Sequence, residues 1–247
     1  MMMEDKLPGR RAMKQQLLML LEKDHPENIV DFSEKFPDHL VLNTLFGALC
    51  SPLEIVRWNA VICFGMVVPS LALQNMEKAR VIMRRFLWSL NDESGGIGWG
   101  APEALAEIMC HSKELRHEYL HMLVSYMTED GDEQFQDGNY LELPMLQRGL
   151  LWGVGRLCQS HGREMADCKI VDRIASYLSS QDKTVAGLAI WCLGFLRAET
   201  AASGIVSFKG CRGKIQIYRD SSLHYVEIGF LAEEALLAMN GQAVHRE

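Results

Sequence analysis

The feature that most constrains the fold is a repeat of about 40 residues. Five ten-residue segments align without gaps, at 56–65, 97–106, 146–155, 185–194 and 228–237. Their fifth positions are Ala60, Ala101, Leu150, Ala189 and either Leu231 or Ala232, at spacings of 41, 49, 39 and then 42 or 43 residues. A period of this length with two helices per unit predicts a stack of helix pairs, an α-solenoid.

The glycine-rich stretch at 91–103 is typical of the turn inside such a helix pair. A helix over Met76–Leu90 leads into it, and a helix over 101–110 leaves it. The glycines between 95 and 100 disfavour a helix, whereas Pro102 suits a first helical turn. A phosphate-binding loop is disfavoured, because no lysine follows the glycines and no strand precedes them.

Periodicity predicts further helices on both sides of this pair. They cover 8–23, 26–36, 37–49, 53–68, 112–128, 143–159, 164–178, 183–197 and 230–239. Pro69 is expected to end or kink the helix before it. Five carboxylates and two glycines between 129 and 140 predict a solvated loop. Alternation of polar and apolar residues at 214–218 and 223–228 predicts a β-hairpin.

The expected organisation is one continuous domain with three parts. Residues 1–50 are predicted to hold N-terminal capping helices and the first outer helix, and residues 51–200 the repeat core. Residues 201–247 are predicted to form an atypical terminal repeat with the hairpin and the last helix. The 49-residue spacing is explained by the acidic loop at 129–140.

Four motifs carry a resemblance to a known family. They are FGAL at 46–49, VRW at 56–58, WSLNDESGGIGWGAPE at 88–103 and QRGLLWG at 147–153. Over residues 37–240 the chain resembles a bacterial HEAT-like repeat family of sulfate-reducing and related anaerobes, with phycobilisome-lyase HEAT-like repeats as distant relatives. The resemblance implies an all-α fold, a right-handed α-α superhelix with a small C-terminal β-hairpin. It offers no catalytic residues.

Composition narrows the function classes. The formal net charge is −7 with lysine and arginine scattered, so we expect no nucleic-acid partner, which would need a concentrated basic patch. The seven cysteines contain no Cys-x-x-Cys pair and predict reduced thiols in a cytoplasmic protein. Residues 1–11 lack the apolar core of a signal peptide. No membrane association is expected, on the view that no apolar run approaches about 20 residues.

Helical periodicity places one set of side chains on the face of the inner helices that points away from their own core. This set comprises Trp58, Trp99, Glu103, Arg148, Trp152 and Trp191. Because Trp and Arg dominate binding energy at protein interfaces, it predicts an aromatic-lined concave groove for a protein or peptide partner. The alternative is that these indoles pack against neighbouring inner helices. Asp92, Glu93 and Glu103 also leave open a carboxylate-lined site for a small ligand at the glycine-rich turn.

The sequence His117-Glu118-x-x-His121 matches the helix motif of zinc proteases. The two histidines share a helix face, and the glutamate is placed to act as a general base. Glu142 lies near, but not at, the usual separation for a third ligand. The alternative interpretation is a pair of exposed histidines. Their packing neighbours on the helix would be Leu115, Tyr119, Met122 and Tyr126.

Together these patterns predict a non-enzymatic scaffold without cofactors or metals. A zinc-dependent hydrolase is the alternative function.

Overall fold

The structure is a computed structural model that describes residues 9–23, 25–91, 98–128 and 139–241. These residues form twelve α-helices, two short 3₁₀ turns and two β-strands. The helices are α1 (Arg10–Lys23), α2 (Pro26–Ser33), α3 (Asp38–Ala48), α4 (Glu54–Gln74), α5 (Met76–Leu90), α6 (Ala101–His111), α7 (Lys113–Ser125), α8 (Pro144–Asp167), α9 (Val171–Ser176), α10 (Lys183–Phe195), α11 (Ala202–Val206) and α12 (Ile228–Met239). The 3₁₀ turns cover Tyr177–Ser179 and Glu199–Ala201, and the strands are β1 (Lys214–Arg219) and β2 (Ser222–Glu227).

The helices form consecutive pairs whose inner members stack on one another. The inner helices are α4, α6, α8, α10 and α12, and each contacts the next. The aligned positions Ala60, Ala101, Leu150, Ala189 and Ala232 are each 2% exposed or less. The positions that align in the sequence repeat are therefore positions that are buried in the hydrophobic core. The predicted all-α superhelix of helix pairs is confirmed.

The outer helices lie against the inner stack, and extra helices cover its first end. The outer helix α5 contacts both α4 and α6, while α9 contacts α10 and α11 contacts α12. Both α1 and α2 pack on α4. The buried side chain of Asn59 ties this end together, because its Nδ2 donates to Leu21 O at 2.9 Å.

Side-chain caps begin three of the helices. Asn75 Oδ1 accepts a hydrogen bond from Lys78 N at the start of α5. Ser112 Oγ accepts from Leu115 N at the start of α7. Asp182 Oδ1 accepts from the first N–H groups of α10. Each cap satisfies backbone donors that have no partner inside the helix.

Helix α4 corrects two expectations. It continues through Pro69 to Gln74, instead of ending near residue 68, because Val68, Leu71 and Ala72 are buried and hold the last turns in place. The continuous helix of 21 residues is long and apolar enough to cross a membrane by length and composition alone, with a mean hydropathy of 1.6. Of that window 56% is buried inside the fold, and the core helix of a soluble protein passes the same test.

The region after α8 also differs from expectation. Separate helices were expected over 143–159 and 164–178, but α8 runs from Pro144 to Asp167 with one non-helical residue, His161, at φ −136° and ψ 41°. The ring atom His161 Nε2 lies 3.0 Å from Cys110 O. This contact holds the kink against α6, and the residues beyond it supply part of the outer layer before the short α9.

The predicted hairpin is confirmed. Strands β1 and β2 pair in antiparallel register from Lys214 opposite Glu227 to Arg219 opposite Ser222. The two turn residues 220 and 221 have φ of 50° and 59°, which is the backbone of a type I′ turn. The hairpin docks through Ile215, which is 1% exposed and packs against Gly187 of α10.

Ion pairs connect neighbouring repeats. Arg80 Nε of α5 donates to Glu118 Oε2 of α7 at 2.8 Å. Arg116 Nε of α7 donates to Glu164 Oε2 of α8 at 2.7 Å, and its Nη1 donates to Met109 O at 2.7 Å. Because the side chain of Arg116 is only 6% exposed, this second pair is shielded from solvent on the arginine side.

Candidate functional site

The hairpin brings Tyr218 into contact with two inner-helix tryptophans. The rings of Tyr218 and Trp58 stack with centroids 4.8 Å apart and an angle of 8° between their planes. Trp58 of α4 also contacts Trp152 of α8, at 4.6 Å between centroids. Trp152 Nε1 donates a hydrogen bond to Tyr218 O at 2.8 Å. Since α4 and α8 belong to pairs that are not consecutive, the inner side is curved enough to bring their aromatic rings together.

A cavity of about 280 Å³ lies beside this aromatic cluster. Five of the residues singled out in the sequence line it: Trp58, Trp99, Glu103, Arg148 and Trp152. In the aligned repeats they occupy third positions (Trp58, Trp99, Arg148) or seventh positions (Glu103, Trp152). Positions three and seven are four residues apart, so they lie on the same side of a helix. The stacking of the inner helices brings these sides together around the cavity.

Other lining residues were not singled out in the sequence. The hairpin contributes Gln216 and Leu223, and α10 contributes Thr184 and Leu188. These residues form the part of the cavity wall that the hairpin and α10 supply. The alternating pattern at 214–218 predicts the hairpin, but it carries no signal for the surface on which a hairpin docks.

Glu103, in the first turn of α6, is one of two acidic residues among the described residues that line the cavity, the other being Glu54. Its Oε2 atom is buried and has no hydrogen-bond partner within the described residues. Burial raises the pKa of Glu103 to about 7, and a hydrogen bond from the backbone N–H of Glu103 and the nearby charge of Arg57 oppose this rise. Gly149 of α8 makes room for the carboxyl group, because a Cβ there would lie 2.5 Å from Glu103 Oε2.

Glu107, one turn later on the same helix, is fully paired. Arg156 of α8 donates to both of its oxygens at 3.1 Å, and His111 Nε2 lies 3.2 Å from Oε1. Burial acts to raise the pKa of Glu107, but the hydrogen bonds from His111 and Arg156 outweigh it and hold this pKa below its ordinary value. The group is a buried clamp between α6 and α8.

The arginines that line the cavity already have carboxylate partners. Arg57 Nη2 lies 3.4 Å from Glu54 Oε1 within α4. Arg148 Nε lies 3.2 Å from both carboxylate oxygens of Asp182. Among the described lining residues, Glu103 Oε2 is the buried polar side-chain atom that has no hydrogen-bond partner.

Trp99 forms the open edge of the cavity and is 37% exposed. Gly100 follows it at φ 69°, a conformation that favours glycine. A Cβ at Gly100 would lie 2.8 Å from Leu49 Cδ2, so the turn also needs the missing side chain. Asp92 and Glu93, which the sequence placed in the same site, lie outside the described residues.

Trp191 does not join the cavity. It is 6% exposed and packs against Phe195, at 5.1 Å between centroids, and against Gly155 of α8. Its position fits the alternative interpretation, in which an inner-helix indole fills the space between neighbouring helices. Trp152 is also buried, at 2%, but its ring still lines the cavity wall.

The zinc-protease motif on α7 has a different environment. His117 and His121 are exposed, but Glu118 is bound by Arg80 through both oxygens, and these hydrogen bonds lower the pKa of Glu118. A carboxylate held in this way is not positioned to act as a general base. Within the part of the chain that the structure describes, no group of three or more His, Cys, Asp or Glu residues is arranged to hold a metal ion.

The packing side of α7 follows the prediction at three of four positions. Leu115, Tyr119 and Tyr126 are buried. Met122 was expected to pack as well, but it is 39% exposed. It directly follows the exposed His121 and lies beside it on the solvent side of the helix, since successive residues turn by about 100°.

Comparison with solved structures shows the fold. A designed armadillo repeat protein in complex with the peptide (KR)4 is 14% identical, covers 95% of this chain and 96% of its own, and has a TM-score of 0.53. An engineered protein is 13% identical over 96% of this chain and 95% of its own, with a TM-score of 0.52. These likenesses establish a helical repeat solenoid of armadillo-like architecture. No protein-family profile and no curated protein matches the sequence.

Proposed function

We propose that this chain is a non-enzymatic, HEAT-like repeat scaffold of the cytoplasm that binds a segment of a partner protein on its concave face. The observation that carries the proposal is the cavity, in which residues from α4, α6 and α8 converge around one open aromatic edge, Trp99. We propose a protein partner, and neither nucleic acid nor a membrane, because the net charge is −7 and no basic patch was found in the sequence.

The cavity is large enough to take one peptide side chain. Its volume of about 280 Å³ is close to the lower end of the range of roughly 300 to 1,000 Å³ that is usual for small-molecule sites. An extended segment that runs along the inner helices would place one side chain in it. The designed armadillo repeat protein of similar fold carries a peptide in its own structure, which supports this mode for the fold.

The aromatic composition supplies the binding energy. Tryptophan is enriched among residues whose truncation costs most at interfaces, and Trp99 is exposed before any partner binds. Trp58 and Trp152 are held in place by Tyr218, so their rings need no ordering when the partner arrives. A pre-organised surface of this kind loses little entropy on binding.

The test is selection of peptides from a random display library on the purified chain. Selected peptides are then measured against Trp99→Ala and against the control Trp88→Ala. Trp88 is 73% exposed on the outer helix α5, so the control removes the same kind of side chain from a different surface. We expect Trp99→Ala to weaken binding at least about tenfold, the loss of about 1.4 kcal/mol or more that is typical of an interface anchor.

Trp88→Ala is expected to bind the same peptides as the unmodified chain. Peptides that bind equally well to both variants would place the interaction elsewhere, and the proposed function would be wrong. Failure to select any peptide that depends on Trp99 would have the same consequence.

A further inference from the structure

Glu103 and Glu107 lie one helical turn apart on α6, and their carboxyl groups differ in their hydrogen-bond partners. Glu107 is bound by Arg156 through both oxygens, whereas the buried Oε2 of Glu103 meets no donor within the described residues. Burying a carboxylate oxygen without a hydrogen-bond partner is costly. The cost is relieved when a donor enters the cavity, because Glu103 lines it.

We infer that the cavity receives a basic side chain, lysine or arginine, from the bound peptide, with its cation against the carboxylate of Glu103. This inference rests on the proposed function, since it concerns the same cavity. It adds the chemical class of the side chain that the cavity selects.

The walls of the cavity suit a cation with an aliphatic stem. The indoles of Trp58, Trp99 and Trp152 all line it, and tryptophan is the aromatic residue that attracts a cation most strongly through its ring face. Lysine and arginine also carry methylene groups that pack along apolar surface while the charged end reaches a polar partner. Indole walls and one carboxylate therefore match both parts of such a side chain.

The arginines that line the cavity are paired with other carboxylates, although the charge of Arg57 also acts on Glu103. Arg148 is held by Asp182 at the N-terminus of α10, and Arg57 lies beside Glu54 on α4. The formal net charge of −7 further favours the approach of a basic segment over that of an acidic one.

Gly149 leaves room for the Glu103 carboxyl group at the cavity wall. Any larger residue would meet the Glu103 carboxyl group at 2.5 to 2.6 Å and would displace it from its present place. The neighbouring Gly153 meets Ala106 and the backbone of Pro102 and serves only the close approach of α6 and α8. Gly149 therefore serves ligand binding, whereas Gly153 serves the packing of the two helices.

The experiment uses the full chain and the peptides selected in the display test. Selection is carried out in parallel on the unmodified chain, on Glu103→Gln and on Glu114→Gln. Glu114 is exposed on α7, so its change removes the same formal charge away from the cavity. In the peptides that bind, the basic residue is replaced by norleucine, which keeps the aliphatic stem without the cation.

We expect peptides from the unmodified chain and from Glu114→Gln to share one enriched lysine or arginine position, and peptides from Glu103→Gln to show this position with clearly lower enrichment. Norleucine at that position should weaken binding to the unmodified chain at least about tenfold, since both the ion pair and the cation–aromatic contacts are lost. The same replacement should weaken binding to Glu103→Gln by a smaller factor, because the ion pair is already absent there and only the contacts of the cation with the indoles remain to be lost.

Two outcomes separate the inference from the proposed function. Peptides that depend on Trp99 but show no basic position, or that tolerate norleucine without loss, would overturn the inference and leave the binding scaffold intact. Absence of any Trp99-dependent peptide would overturn both. Thermal unfolding of Glu103→Gln and Glu114→Gln, measured beside the binding assays, confirms that each variant is folded.

Discussion

Glu103 and Glu107 lie one turn apart on α6 and face the same neighbour, α8, yet they meet opposite surroundings. Glu107 is met by the guanidinium group of Arg156, while Glu103 is met by the bare Cα of Gly149. Much of the difference lies in the residues that α8 presents, and His111 of α6 adds a further contact to Glu107. One carboxylate fastens the two helices together, and the other is left at the wall of a cavity.

The stability of Glu103→Gln relative to that of the unmodified chain is expected to increase as the pH rises. The pKa of Glu103 is raised from 4.5 to about 7 in the folded state, so folding favours the protonated form. The stability linked to this group is complete below pH 4.5 and is lost as the pH rises to about 7. A rise of this size corresponds to about 3 kcal/mol. Chemical denaturation of the unmodified chain and of Glu103→Gln across this pH range measures the difference between their unfolding free energies. A difference that does not grow with pH would contradict the burial of this carboxyl group.

Replacing Glu107 with glutamine is expected to destabilise the fold at neutral pH. Its pKa is lowered by His111 and Arg156, so the stability it provides is present above its ordinary pKa and is lost as the pH falls through the lowered value. Removing one partner leaves Arg156 largely buried without a counter-ion, a change that costs about 3 kcal/mol. The exposed pair Glu77 and Arg84 is the control, and Glu77→Gln should leave the denaturation midpoint unchanged. Equal effects of the two substitutions would show that the Glu107 clamp is no stronger than a surface pair.

The register of the fold can be predicted from the sequence, because it depends on local periodicity. Small residues recur where inner helices meet, as at Ala60 and Ala189, and the structure buries both completely. Local rules fail where tertiary packing overrides them. Pro69 does not end α4, because the apolar residues after it are buried and outweigh one lost backbone hydrogen bond.

The candidate site is predictable only in part, for the same reason. Helical spacing places Trp58, Trp99, Glu103 and Trp152 on the same side of the inner helices, and all four residues line one cavity in the structure. The cover provided by Tyr218 depends on how the hairpin docks, and Tyr218 lies 66 residues after Trp152 and 160 residues after Trp58. No local pattern encodes such a contact.

Two glycine-to-alanine substitutions distinguish the stability cost of overpacking from the stability gain of higher helix propensity. Gly155→Ala places a Cβ against the buried ring of Trp191, and overpacking of this kind costs about 1 to 3 kcal/mol. Gly47→Ala, on an exposed position of α3 with nothing within 4 Å, is expected to stabilise the chain by about 0.5 to 1 kcal/mol, because alanine loses less backbone entropy than glycine. Thermal unfolding of both variants measures the two effects. If Gly155→Ala proved as stable as Gly47→Ala, α8 and α10 would not be as closely packed as the structure shows.

Zinc is expected to have no effect on stability. The histidines at 117 and 121 supply two ligands, whereas protein zinc sites use three or four, and Glu118 is held by Arg80. A zinc titration followed by thermal unfolding should give the same midpoint for the unmodified chain and for His121→Ala. One equivalent of zinc that survives dialysis and disappears in His121→Ala would instead support the hydrolase.

The stack of Trp58 on Tyr218 is expected to couple the hairpin to the first repeat. The rings lie nearly parallel, with centroids 4.8 Å apart, and aromatic pairs contribute about 0.5 to 1.5 kcal/mol beyond the area they bury. A double-mutant cycle of Trp58→Leu and Tyr218→Leu, followed by chemical denaturation, should return a coupling energy in this range. The control cycle pairs Tyr218→Leu with Trp88→Leu, whose indole is exposed on α5, and it should be additive within about 0.5 kcal/mol. If the first cycle were additive as well, the hairpin would be held by Ile215 and its neighbours alone, and the wall that Trp58 forms would not depend on the hairpin.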